Sequence, residues 1–169
     1  IILAEISRND WDLIGIGGLT TTYKRIKELS SIIKKASPNS ILVGGGGFAT
    51  YNPDEILKLI PEMDLICMGE GEETFAELYD QIEKKTNDFS SVNGLCLRTN
   101  DGFEFTAPRA LIPDLNTIPF PNYDLFESDI YFRYSPIAFS LESINSKKRA
   151  SVVWERGCPR GCTFCSHNG

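Results

Sequence analysis

The sequence predicts an α/β fold, with a parallel sheet assembled from βαβ units. Three observations predict it. Short apolar runs that end in glycine recur three times before residue 70, at "DLIGIGG", "SILVGGGG" and "DLICMG". Each is followed by a stretch with helical periodicity, and the loops between are short. After residue 86 the pattern changes to a hairpin signal and then to prolines.

The elements follow in order. "IILAEI" (residues 1–6) places Ile2, Leu3 and Ile6 on one face and reads as the tail of a helix, so at least one strand is expected before Ile1. Residues 12–18 read as a buried strand. Within "TTTYKRIKELSSIIKKA", Tyr23, Ile26, Leu29, Ile33 and Ala36 step by three and four along one helix face. Thr21 or Thr22 is expected to cap its start, and Ser37-Pro38 ends it. Residues 40–47 form the second strand. In "NPDEILKLI", Asn52 is the expected cap, Pro53 the first helical residue, and Glu55 stands at capping-box spacing. Residues 64–69 form the third strand. In "EGEETFAELYDQIEKK", Phe75, Leu78, Tyr79 and Ile82 share a face, while acids at the start and Lys84-Lys85 at the end suit the helix dipole.

"LCLRTNDGFEF" turns at Asn100-Asp101-Gly102, a hairpin signal. Pro108, Pro113, Pro119 and Pro121 then break regular structure, which reads as a semi-extended linker. "RASVVWERG" is a β-rich run leading into the last cysteines. The expected organisation is an α/β domain with hairpin over residues 1–106, a linker over 107–149, and the opening of a further module over 150–169. The first of these is Rossmann-like, more narrowly flavodoxin-like, and N-terminally truncated.

Acidic residues outnumber basic ones, 23 to 17, so the basic footprint of a nucleic-acid binder is lacking. No run reaches the length of a membrane span, and the first residues lack the positive region of a signal peptide. Five cysteines is an odd number, which disfavours a secreted disulfide framework. A cytoplasmic chain is expected.

Three of those cysteines form a Cys-x3-Cys-x2-Cys pattern: Cys158, Cys162 and Cys165, with Phe164 before the last. Thiolates are soft ligands that suit an iron–sulfur cluster or zinc. Structural zinc wants four ligands, and His167, the sole histidine, could be the fourth. Three protein ligands on a cluster would leave one metal position open for a substrate. Cys67 and Cys96 lie in apolar strands and read as small hydrophobes. The aromatics of "FPNYDLF" read as packing anchors, and Lys147-Lys148-Arg149 as a solvated loop.

Gly44 to Gly47 join a strand to a helix, where glycine lets a ligand approach the backbone. Gly44-x-Gly46-x-x-Ala49 meets a loose dinucleotide fingerprint. However, the next acid at a plausible distance, Asp64, begins a strand instead of ending one, and no Gly-Lys-Ser/Thr follows.

The cysteine pattern after a β-rich run resembles the signature of radical S-adenosylmethionine enzymes. The resemblance implies a [4Fe–4S] cluster on Cys158, Cys162 and Cys165, with Phe164 in the cofactor-binding set. The iron without a protein ligand would bind S-adenosylmethionine, and reductive cleavage would yield a 5′-deoxyadenosyl radical. An electron donor such as ferredoxin or flavodoxin is implied, and the loop would follow the first strand of a partial barrel. The ordered set "DLIGIGGLTTTY", "ILVGGGGFATYNPDEIL", "DLICMGEGEETFAEL", hairpin, "DLNTIPFPNYDLF" and cysteines is similar to enzymes of this class with an N-terminal cobalamin-binding domain.

By position, the cobalamin pocket would draw on Gly17, Gly18, Thr20, Thr22, Gly45, Gly46, Glu70 and Gly71. Gly17 stands where the family often has Ser, and Phe48 where it often has His. The Asp-x-His-x-x-Gly loop of the classical cobalamin mutases is absent, so no histidine below cobalt is inferred. The resemblance implies either methyl transfer to an unactivated carbon or oxidative ring closure, as in anaerobic magnesium-protoporphyrin monomethyl ester cyclases. The substrate would be a small molecule such as a tetrapyrrole or natural-product precursor. Residues 1–169 alone are not expected to be catalytic, because one strand cannot enclose a radical. Other classes remain: a non-catalytic module that binds cobalamin or a partner, and an NAD-dependent oxidoreductase.

Overall fold

A computed structural model describes residues 2–86, 88–125, 156–158 and 160–165. The chain divides into two units, Ile1–Ile118 and Pro119–Gly169. In the first, the order is α1 (Ile2–Ile6), β1 (Leu13–Gly17), α2 (Tyr23–Ala36), β2 (Ile41–Gly45), α3 (Pro53–Leu59), β3 (Leu65–Cys67), α4 (Glu72–Glu83), β4 (Leu95–Thr99) and β5 (Gly102–Phe105). The α/β alternation expected from the sequence is present.

The five strands form one open sheet in the order β1-β2-β3-β4-β5. β1, β2 and β3 run parallel, with Gly17 opposite Gly45 and Gly44 opposite Ile66. The hairpin is not a separate appendage. β4 continues the sheet antiparallel to β3, pairing Ile66 with Cys96, and β5 closes the edge.

Alternation along each strand divides the core between two faces. On one, Ile6 of α1, Ile26 and Ile33 of α2, and Ile56 and Leu57 of α3 meet Leu42, Ile66 and Cys96. On the other, Leu78 of α4 and Val92 cover Val43, Leu65, Cys67 and Leu95. Helices therefore cover both faces, which is why the central strands are apolar throughout instead of alternating.

Several helix ends differ from expectation. Asn52 precedes α3 but makes no side-chain cap. Glu55 does not close a capping box; it accepts a hydrogen bond from Lys58 Nζ at 2.6 Å, since a partner one turn along competes for its carboxylate. Thr22 stands at the N-cap of α2 without capping it. Its hydroxyl donates to Leu19 O at 2.7 Å and accepts from Leu19 N at 3.2 Å. α4 ends at Glu83, leaving Lys84 as its C-cap and Lys85 left-handed at φ 54°.

Two long-range contacts lock the layers. Asp64 accepts from Leu42 N at 2.7 Å and pairs with Lys34 at 2.7 Å, so it braces the amino end of β3. Arg98 of β4 donates to Leu57 O at 2.5 Å at the end of α3, and its guanidinium lies 5.5 Å from the Phe103 ring. The Arg98 bond supplies a donor to a carbonyl at the end of α3, a partner that a helix end needs.

In the second unit, Tyr123–Leu125 form a single 3-10 turn, with Asn122 Oδ1 accepting from Asp124 N at 3.1 Å. The strand expected over residues 150–157 lies outside the described residues except Arg156 and Gly157. His167, the basic run and most of the linker lie outside them too.

Candidate functional site at the carboxyl edge of the parallel strands

Because β1, β2 and β3 are parallel, their carboxyl ends open along one edge, the place where open α/β sheets bind ligands. Three loops leave that edge. The first, residues 17–22, contains Gly17, Gly18, Thr20 and Thr22. The second, residues 45–50, contains Gly45 and Gly46. The third, residues 68–71, contains Glu70 and Gly71.

The first two loops touch through backbone. Phe48 N donates to Gly18 O at 3.2 Å. Gly46 has φ +79°, and a Cβ there would stand 3.3 Å from Gly18 O. A side chain at Gly18 would meet Thr22 Oγ1 at 2.6 Å. This closeness requires glycine on both sides.

The second and third loops are joined by Thr50, whose hydroxyl donates to Gly46 O at 3.1 Å and accepts from Gly69 N at 3.4 Å. Thr50 carries no sequence signal, because nothing local distinguishes it from any threonine in a turn. Gly71 is the N-cap of α4, and a Cβ on it would lie 3.6 Å from Cys67 Sγ. Leu19 and Tyr51 are exposed, at 66% and 57%. The edge is thus a floor without bulky side chains beside two apolar ones. Such a floor lets a ligand approach the backbone closely.

Thr22 and Glu70 lie at this edge, and each has a side-chain oxygen bonded to the backbone of this chain. Thr22 is engaged with Leu19, as above. Glu70 Oε2 accepts from Ile112 N at 2.6 Å.

Arg109, three residues before Ile112, anchors the same stretch, the strap of residues 107–112, and carries no local sequence signal. Its guanidinium donates to Glu73 at 3.2 Å, to Glu77 at 3.0 Å and to Asn93 O at 3.2 Å. The Arg109 side chain is only 8% exposed. The hydrogen bond from Arg109 holds the Glu77 carboxyl below its usual range and raises the guanidinium in turn. Gly94, at φ +80°, lets the strap pass; a Cβ there would stand 3.2 Å from Arg109 Cβ.

Cys67 and Cys96 are buried, as expected of small hydrophobes. Burial pushes the Cys67 thiol up, and pushes Cys96 up to about 11. Cys158 is exposed, while Cys162 and Cys165 are half-buried. Cys165 N donates to Cys162 O at 3.1 Å, a tight turn, and Phe164 is 91% exposed. Thiolates of this kind fit an iron–sulfur cluster chemically. Even so, among the described residues no three of His, Cys, Asp or Glu are gathered closely enough to hold a metal ion. Among them, too, no helix is long and apolar enough to cross a membrane.

Residues 2–79 match the model of the B12 binding domain family. An uncharacterized methyltransferase of Pyrococcus horikoshii is 32% identical over 95% of this chain and 32% of its own length. An anaerobic magnesium-protoporphyrin IX monomethyl ester cyclase of Synechocystis is 31% identical over 93% of this chain and 29% of its own. The chain therefore spans about a third of the length of these curated relatives. Among solved structures, the radical S-adenosylmethionine methyltransferase TsrM from Kitasatospora setae, with cobalamin and a [4Fe-4S] cluster bound, aligns with a TM-score of 0.56. It is 22% identical over 67% of this chain and 21% of that one, a likeness of fold.

Proposed function

We propose that this chain is the cobalamin-binding part of a cobalamin-dependent radical S-adenosylmethionine enzyme, a reading supported by the match of residues 2–79 to the B12 binding domain family. One observation carries the reading: the carboxyl-edge loops of a family-matched sheet meet backbone to backbone at Gly18, Gly46 and Phe48. The two relatives are named as a methyltransferase and a cyclase. Methyl transfer and oxidative ring closure therefore both remain open, as do the small-molecule substrate and the electron donor.

The chain's own residues do the following. Gly17, Gly18, Gly45 and Gly46 clear the floor and admit a large ring close to the backbone. Thr20, Leu19 and Tyr51 border it. Gly71 starts α4, whose N-terminal dipole favours negative charge nearby. Cys158, Cys162 and Cys165 would hold the [4Fe–4S] cluster, with Phe164 beside it. When bound, that cluster supplies the electron that cleaves S-adenosylmethionine, and cobalamin supplies a cobalt centre able to carry a methyl group. No histidine precedes His167 in this chain, so residues 2–165 would offer cobalamin no imidazole.

Hydroxocobalamin titration tests the reading. The full-length protein should shift the corrin absorption bands and retain cobalamin in gel filtration, and Gly18→Val should weaken retention at least tenfold. Cobalamin that stays free with the unsubstituted protein would refute it. Loss of an iron–sulfur band in a Cys162→Ala variant after anaerobic reconstitution tests the cluster separately.

A further inference from the structure

We propose that Glu70 and Arg109 are positioning residues that clasp residues 107–112 against the rim of the carboxyl-edge site, so that seating of this strap and binding of cobalamin are coupled. The inference rests on the cofactor reading above and reassigns Glu70 within it. The family resemblance implies a pocket position for Glu70, but its carboxylate reaches 42 residues along the chain to Ile112 N. Arg109 makes the second attachment of the same strap. It bridges Glu73 and Glu77 on the first two turns of α4 and the Asn93 carbonyl before β4.

The two attachments share a base. Gly94 N donates to Ala107 O at 2.8 Å, and Met68 N donates to Gly94 O at 2.8 Å. Thr74, buried on α4, donates to Asn93 O at 3.2 Å. The loop after β3, the start of α4 and the strap are thus tied through one node. Movement of the third carboxyl-edge loop is therefore transmitted to the strap, and the reverse. A guanidinium only 8% exposed is tolerated because two carboxylates and a carbonyl satisfy it, so the strap is held where those three groups lie.

The Ile112 amide belongs to no helix or strand, and its bond to Glu70 makes it a reporter. Hydrogen exchange of the full-length protein should show Ile112 accelerated about tenfold or more in Glu70→Ala, the scale of a lost hydrogen bond to a charged group. Glu70→Gln, which keeps an acceptor, should lie between. Arg109→Met should accelerate Ile112 as well, although it leaves Glu70 in place, while the amides of β2 and β3 remain protected. Ile112 exchange unchanged in Arg109→Met would overturn the clasp.

Hydroxocobalamin affinity supplies the second arm. Both single variants should weaken it several-fold, and the double variant should be no weaker than the worse single one, because both act through one strap. Glu70→Ala weakening binding while Arg109→Met leaves it unchanged would make Glu70 a direct contact and overturn the coupling. An unsubstituted protein that leaves hydroxocobalamin free removes the cofactor reading and the coupling with it, while the exchange arm still reads the clasp by itself.

Discussion

Two adjacent glycines in the second carboxyl-edge loop should respond to the same substitution with opposite sign. Gly46 has φ +79°, and a methyl there would stand 3.3 Å from Gly18 O. Gly47 has no such backbone constraint, and its methyl would meet only Leu19 Cδ2 at an ordinary 3.9 Å. An L-residue held left-handed costs about 1–2 kcal/mol. Replacing glycine by alanine also restricts the unfolded chain, which returns about 0.4–1 kcal/mol. Gly46→Ala should therefore destabilise by a net ~0–1.6 kcal/mol from those two effects, with the close carbonyl pushing it to the upper half of that range. Gly47→Ala should be neutral or stabilise by up to about 1 kcal/mol. Gly46→Asn, which tolerates the left-handed region, should fall between. Urea unfolding followed by circular dichroism measures all three, provided the slope with denaturant stays unchanged. If Gly46→Ala is as stable as the parent, or if both alanine variants move the same way, the account of the loop contact is wrong.

Two further outcomes follow from the electrostatics. The Arg109 hydrogen bond depresses the folded Glu77 carboxyl below its ordinary 4.5, so the unfolded chain takes up that proton more readily. The contribution is present above about pH 4.5 and is lost as pH falls through the depressed folded value. Glu77 is 45% exposed, so solvent screening limits the effect to under about 1 kcal/mol. Comparing urea midpoints between pH 7 and pH 3, the parent should lose more stability than Glu77→Gln; parallel pH profiles would contradict the assignment. Burial that pushes Cys96 up to about 11 and raises Cys67 should spare both thiols from native-state alkylation at pH 8. Exposed Cys158 of the metal-free chain should react, and mass mapping of peptides checks the order. Cys96 alkylated as fast as Cys158 would show that this face of the core is open.

The α/β class and the places of the first three strands and their helices are legible before folding, because they rest on local periodicity. Ile26, Leu29 and Ile33 recur at helical spacing wherever the helix ends up. The hairpin turn is legible too, as are the glycines at the ends of β1 and β2. That the hairpin extends the main sheet beside β3 emerges from long-range pairing, since nothing local in β4 names its partner. Tertiary contacts also decided the helix starts. Asn52 and Glu55 have the composition of a capping box, yet Lys58 takes the carboxylate. At the site, the glycines lie where the sequence puts them, because a left-handed or crowded backbone position leaves its mark in residue type. The role of Glu70 left no such mark. Its partner is a backbone amide 42 residues away, and any residue but proline supplies an amide. Arg109 likewise looks like one more charge beside Pro108. Only folding brings it against Glu73, Glu77 and Asn93, where its charge is buried and its position fixed.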